Sequence, residues 1–213
     1  MKIIALLLAC TLGLHAAEPA TSDPHPVTLF MAGDSTMADK PLVPANAERG
    51  WGQLLPVYFT QDVRIENYAA NGRSSKSFRA EGKWKIILDR MKPGDYVIIQ
   101  FGHNDEKADE ARHTDPGGSF NENLKRFVAE VRERKGQPIL ATPVARRVFK
   151  DDQLTDTHGD YPAAVRKVAE EEKVPLLEMN TKSMELLTKL GPELSLKLFN
   201  HLAFFPWINH RYI

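Results

Sequence analysis

The chain has a single cysteine, Cys10, among 213 residues, and no excess of either charge, since 28 basic side chains balance 28 acidic ones. A lone thiol excludes an intrachain disulfide and a cysteine-based zinc site. Zero net charge removes the general attraction that draws proteins to nucleic acid or anionic membranes, so neither partner is expected. Long apolar runs are missing as well. The longest, Ile3 to Leu14, is too short to cross a bilayer as a mature anchor, so no membrane span is expected. There is no internal repeat and no low-complexity segment. What is present, 42% hydrophobic and 26% charged residues, is the composition of an ordinary soluble globular protein. The length suits one domain with its own core, and a monomeric small enzyme or binding domain is expected.

The N-terminus has a different character. Lys2, the apolar run and the small residues Ala16 and Ala17 read as a secretory signal peptide over residues 1–17. Its removal would take Lys2 with it and leave 27 basic against the 28 acidic side chains. Leu7-Leu8-Ala9-Cys10 loosely matches a lipoprotein processing site, and anchoring at Cys10 is the minor alternative. Either reading places the protein outside the cytoplasm, secreted or periplasmic. Residues 18–26 form a polar, Pro-containing linker, and the periodic part of the chain begins at Val27.

Five short apolar runs then predict strands: Val27 to Ala32, Val63 to Asn67, Tyr96 to Phe101, Pro138 to Thr142, and Val174 to Met179. Helical stretches lie between them, Trp51 to Phe59, Trp84 to Met91, Phe120 to Arg134, and Tyr161 to Glu172. In the third, Phe120, Leu124, Phe127, Val128 and Val131 fall on one face. Alternating strands and helices predict a mostly parallel sheet in a three-layer α/β/α sandwich. Such folds bind ligands beyond the carboxyl ends of the strands. The longest irregular connections, Gly102 to Ser119 and Val144 to Asp160, both follow strands and so belong to that edge.

Three strand ends carry residues with chemical potential. Gly33-Asp34-Ser35-Thr36 follows the first strand, and a serine at a strand-to-helix turn presents its hydroxyl and its N–H to the ligand edge. After the second strand comes Asn67 to Ser75, in which Gly72 lets the backbone approach a ligand closely. After the third comes Gly102-His103-Asn104-Asp105, where the Asn104 amide is a neutral hydrogen-bond donor. Each block alone is compatible with an ordinary turn or cap. Together they bring a nucleophile, a close-approach glycine and an amide donor to one edge of one sheet.

On these residues the sequence resembles the SGNH (GDSL-type) hydrolases, and within them the rhamnogalacturonan acetylesterase-like branch. The resemblance also draws on Gly50-Trp51-Gly52, Ser77-Phe78 and Gly94-Asp95-Tyr96, and it runs from about Val27 to about Phe199. It implies a flavodoxin-like five-stranded parallel sheet over residues 27–200. It also implies Ser35 as nucleophile, with the N–H groups of Ser35 and Gly72 and the side chain of Asn104 as oxyanion hole. Asp34 would shape the turn. Asp156 and His158, in the loop Leu154 to Tyr161, are expected to be loop structure or groove lining. The substrate class implied is an acetylated plant cell-wall polysaccharide or oligosaccharide, pectic rhamnogalacturonan first. Acetylated xylan, a small ester, or a non-catalytic carbohydrate-binding role are the alternatives. No cofactor motif appears, and His113 lacks partners at metal-ligand spacing, so neither cofactor nor metal is expected.

The resemblance fails at one place. The family places Asp-x-x-His near its C-terminus, the His being the base that a serine nucleophile requires. Here no Asp follows Asp160. The late histidines His201 and His210 are preceded, three positions earlier, by Leu198 and Trp207. Residues 201–213 form an atypical aromatic tail. A divergence of reading frame near His201 is the expectation, with the closing helix and general base missing and apolar sheet surface left open. A natural variant whose tail packs against the sheet is the alternative.

Overall fold

The structure is a computed structural model and describes residues 26–43 and 46–199. Its strands, in chain order, are β1 (Val27–Gly33), β2 (Val63–Asn67), β3 (Tyr96–Gln100), β4 (Gln137–Ala141), β5 (Phe149–Lys150), β6 (Gln153–Leu154) and β7 (Leu176–Leu177). Five of them form one parallel sheet in the order β2-β1-β3-β4-β7, and β5 with β6 makes a separate hairpin. The expected fold class is therefore observed, an α/β three-layer fold built on a parallel sheet. Because β1 pairs with both β2 and β3, the strand order reverses around β1. A crevice at such a reversal is where open α/β sheets place their ligands.

Alternation along β1 divides the core. Phe30 and Ala32 face a large cluster, whereas Leu29 and Met31 face a smaller one. The large cluster is covered by α2 (Ser75–Ala80), α3 (Lys83–Arg90), α4 (Ser119–Glu133) and α5 (Tyr161–Glu172). The apolar stripe of α4 is buried as its spacing predicts, and Phe127 stacks on Phe101 with ring centroids 5.6 Å apart. Each such fully buried side chain contributes about 1.5–3 kcal/mol. Register is secured at the lower end of the sheet by Asp95. This buried carboxylate accepts from the N–H groups of Thr28 (2.8 Å) and Lys92 (2.7 Å).

Among the described residues, the opposite face carries less cover. It meets α1 (Trp51–Leu54), the 3-10 turn Leu55–Tyr58 and the start of α6 (Met179–Leu194). Among the described residues an apolar groove of about 510 Å³ runs along it, lined by Val27, Leu29, Tyr96, Ile98, Ile139 and Leu177 with their neighbours. Open apolar sheet surface was the expectation for this chain. The tail that bears on it, residues 201–213, lies outside the described residues, as do the leader 1–17 and most of the linker 18–26.

The elements depart from expectation in three respects. No helix begins at Ser35; the carbonyl of Asp34 accepts from Met37 and Ala38, a single turn, and the next helix starts at Trp51. The strand expected over Val174 to Met179 is reduced to Leu176–Leu177, because α6 takes over at Met179. Finally, α2 and α6 were not anticipated, and neither was the β5–β6 hairpin inside the Val144 to Asp160 connection. The α2 signal was present in retrospect: Ser74 and Ser77 form a reciprocal capping pair, the Ser77 N–H bonding to Ser74 Oγ and the Ser74 N–H to Ser77 Oγ. Helix α6 is harder to read because Gly191 (φ 69°) and Pro192 interrupt it.

Candidate active site

The turn after β1 is shaped by Asp34. Its Oδ1 accepts from the Thr36 N–H (2.9 Å) and the Thr36 hydroxyl (2.8 Å). That is an Asx-type turn, the shaping role expected of this residue. Two further contacts hold the turn from outside. The Gln100 amide at the end of β3 donates to Thr36 Oγ1 (2.7 Å), and the Trp51 indole donates to Gln100 Oε1 (2.6 Å). The Gly50-Trp51-Gly52 block packs against the same turn, since the Trp51 N–H donates to the Thr36 carbonyl at 2.9 Å. A Cβ on Gly50 would lie 2.1 Å from the Ala38 carbonyl oxygen, and one on Gly52 would lie 2.6 Å from that of Met37. Only glycine fits at either position.

The turn after β2 is bonded to this one. The Ala70 N–H donates to the Gly33 carbonyl (2.9 Å), which places the Asn71-Gly72 segment beside Ser35. Gly72 has φ +75°, and nothing stands within 4 Å of where its Cβ would be. The glycine is needed for its backbone angle and not for space.

The turn after β3 joins both. The Asn104 side-chain amide donates to the Arg73 carbonyl (3.1 Å), and among the described residues its second N–H meets no acceptor. The structure therefore brings the Ser35, Gly72 and Asn104 segments to one place at the carboxyl edge of the sheet. Among the described residues, the main-chain N–H groups of Ser35 and Gly72 meet no acceptor, and the Ser35 hydroxyl has no hydrogen-bond partner.

Below the turns lies a layer of titratable groups. Asp105 is fully buried and accepts from the Ser75 N–H (3.0 Å), the Ser75 hydroxyl, the Thr114 hydroxyl (2.8 Å) and the Gly102 N–H (3.1 Å). Burial pushes its carboxyl up to about 6, against the pull of the Ser75 and Thr114 bonds. It ties the β3 turn to the start of α2. His103 Nδ1 stands 3.8 Å from Asp34 Oδ2, and neither atom has a hydrogen-bond partner. Burial raises the Asp34 carboxyl and lowers the His103 imidazole well below its usual value, the latter helped by His158, Arg146 and Lys107. The His103 ring packs edge to face with His158, ring centroids 4.4 Å apart.

His158 is completely buried and bonds the Val144 carbonyl (2.9 Å) and Glu106 (3.2 Å). Glu106 also pairs with Arg146, whose guanidinium donates to the His103 carbonyl (3.2 Å). Burial works against ionisation of Glu106, but the bonds from His158 and Arg146 prevail and hold its carboxyl below the ordinary range. His158 is loop structure, as expected. Asp156 caps the same loop by accepting from the His158 N–H (3.0 Å).

Sequence reasoning assigned no role to Asp105, Glu106, Arg146 or Lys40. The first two sit beside Asn104 and could have been suspected from that position; Arg146 and Lys40 act across long separations that leave no local signal. Among the described residues, no three His, Cys, Asp or Glu side chains converge as a metal site requires, and no helix is long and apolar enough to cross a membrane. His201 and His210 lie outside the described residues, so no base is placed on Ser35.

Comparison with known proteins agrees with this geometry. Residues 31–194 match the model of the GDSL-like lipase/acylhydrolase family. The chain is 39% identical over 176 residues to the rhamnogalacturonan acetylesterase RhgT of Bacillus subtilis, covering 82% of this chain and 74% of that one. It is 36% identical over 166 residues to a probable rhamnogalacturonan acetylesterase, YesY, of the same organism, covering 78% and 76%. Among solved structures, the Bacillus subtilis protein YxiM superposes with a TM-score of 0.72 at 31% identity, over 81% of this chain and about half (49%) of YxiM. The acetylxylan esterase Axe2 of Geobacillus stearothermophilus shares the fold at 20% identity, with a TM-score of 0.61 over 78% of this chain and 82% of that one. The three strand-end blocks, the parallel sheet that carries them and these matches lead to one assignment: the chain belongs to the GDSL-like lipase/acylhydrolase family of ester hydrolases.

Proposed function

We propose that this protein is a serine acetylesterase that removes O-acetyl groups from acetylated pectic polysaccharide, rhamnogalacturonan in the first place. The observation that carries the reading is the pair of unbonded N–H groups, Ser35 and Gly72, held beside the Asn104 amide at the edge where the strand order reverses. Three donors gathered at one edge suit an anion that forms during reaction. The substrate class is supported by the relatives named rhamnogalacturonan acetylesterase.

The chemistry follows from the groups. Ser35 Oγ attacks the acetyl carbonyl carbon, and the carbonyl oxygen takes the negative charge between the three donors. Each well-placed donor lowers the barrier by about 3 kcal/mol. Collapse breaks the ester bond, the sugar hydroxyl leaves with a proton, and acetyl-Ser35 remains. Water then attacks that ester through the same oxyanion site, releasing acetate and restoring the serine. Among the described residues no group bonds the Ser35 hydroxyl, whose proton must pass to a base during attack. The second reading is a carbohydrate-binding relative with impaired catalysis, since no Asp stands three positions before His201 or His210. By the composition of residues 1–17 we place either form outside the cytoplasm, and we take it as a monomer.

The deciding experiment is acetate release by the purified chain from acetylated rhamnogalacturonan and from acetylated xylan, beside Ser35→Ala. Release that Ser35→Ala abolishes, faster on the pectic substrate, is the expected result. Faster release from xylan overturns the substrate class. Parent and variant turning over equally overturns the esterase reading in favour of the binding one.

A further inference from the structure

The Gly72 N–H is fixed by a turn that glycine alone leaves undecided. The Arg73 N–H donates to the Ala70 carbonyl (3.3 Å), closing a four-residue turn with Asn71 and Gly72 at its centre. Gly72 has φ +75° while Asn71 has no positive φ, which makes this a type II turn. Types I and II differ by a half-rotation of the central peptide, here the one joining Asn71 to Gly72. That peptide is planar and trans, so its carbonyl and its N–H point in opposite directions. Rotating it would turn the Gly72 N–H away from the site. Glycine occupies positive and negative φ almost equally, so Gly72 permits type II without enforcing it.

The choice is made from outside the peptide. The Arg73 guanidinium donates to the Asn71 carbonyl at 2.8 Å, holding the end of the peptide opposite the Gly72 N–H. Glu81 fixes the guanidinium, accepting from Arg73 Nε at 2.9 Å. The buried Lys40 ammonium donates to Asn71 Oδ1 at 2.6 Å and anchors the side chain of the same residue. We propose that Arg73 is a positioning residue for ester hydrolysis, locking the Asn71–Gly72 peptide so that the Gly72 N–H faces the developing oxyanion. The inference rests on the reading of Gly72 as an oxyanion donor.

The test compares the full chain with Arg73→Met and Arg73→Lys. The first removes the donor and keeps the stem, and the second keeps a cation able to reach the Asn71 carbonyl. Backbone chemical shifts of isotope-labelled protein report the Asn71 and Gly72 torsions, and acetate release reports kcat and KM. In Arg73→Met the Gly72 shifts are expected to move towards an average of positive and negative φ. The kcat for acetate release should fall about tenfold, equivalent to about 1.4 kcal/mol of barrier, with KM unchanged. Arg73→Lys should recover part of both effects. Arg73→Met with parental Gly72 shifts overturns the lock. So does a moved torsion without any change in kcat, if the parent turns over. The torsion measurement needs no turnover, so a chain in which Ser35→Ala matches the parent ends the esterase reading and still decides whether Arg73 holds the peptide.

Discussion

The side-chain amide of Asn104 donates to the main-chain carbonyl of Arg73 across 3.1 Å, joining the turn after β3 to the turn after β2. One residue thereby serves two purposes. Its bonded N–H holds the turn that carries Gly72, and in the proposed mechanism its other N–H meets the oxyanion. Asn104→Ala removes both, and kcat for an acetyl ester should fall by about 10²–10³-fold, the usual loss for one oxyanion donor. Asn104→Asp keeps the volume without the donors and should fall as far. Steady-state kinetics of both variants checks this. Near-parental kcat in either would remove Asn104 from the oxyanion hole.

Gly72→Ala tests the backbone angle. The site has room for a Cβ, so any cost comes from holding φ +75° in a residue that disfavours it. About 1–2 kcal/mol of stability should be lost if the turn keeps its form, measured by urea unfolding. If the turn instead relaxes, stability returns and kcat drops further, because the N–H rotates away. A variant with both parental stability and parental kcat contradicts the argument.

Asp105 gives a pH dependence whose sign is fixed. Burial lifts its native-state value to about 6, above the 3.8 of an ordinary aspartate. Between those values the native state binds the proton more tightly than the unfolded chain. Its contribution to stability is therefore largest below about pH 4 and is lost as the pH rises through about 6, by about 3 kcal/mol in total. Unfolding free energies of the parent and Asp105→Asn, compared between pH 4 and pH 7, should shift against the parent by most of that amount. A difference independent of pH would mean that Asp105 titrates normally.

Glu106 holds the two long connections together through Arg146 and His158. Glu106→Ala leaves the Arg146 guanidinium and the buried His158 ring without their shared acceptor. The expected cost is about 3 kcal/mol, near that of breaking a buried ion pair. Amide exchange should accelerate across residues 144–160 more than in β1 or β3. Uniform acceleration would show that the two loops do not open as a unit.

Much of the fold was legible because burial imposes its own period. The run Val27 to Ala32, bounded by Pro and Gly, reads as a strand buried on both faces, and the spacing of Phe120 to Val131 as a helix with one apolar side. What escaped had weak or broken periodicity. Helix α2 has six residues, α6 is interrupted at Gly191, and each strand of the β5–β6 hairpin has two. The residues Gly33-Asp34-Ser35-Thr36 read as a strand-to-helix turn in the sequence. Asp34 instead spends its carboxylate on Thr36 two positions on, which closes a turn.

The sequence by itself determined the parallel sheet and the order of the three strand-end blocks, and it singled out Ser35, Gly72 and Asn104 as candidates, since these are matters of local pattern and of residue type. Tertiary structure alone decided how those residues are held. Lys40 reaches Asn71 across 31 positions, Asn104 reaches Arg73 across 31, and Arg146 reaches Glu106 across 40. Hydrogen bonds of that kind need two distant backbones brought within about 3 Å, and no period or propensity along the chain encodes such a meeting.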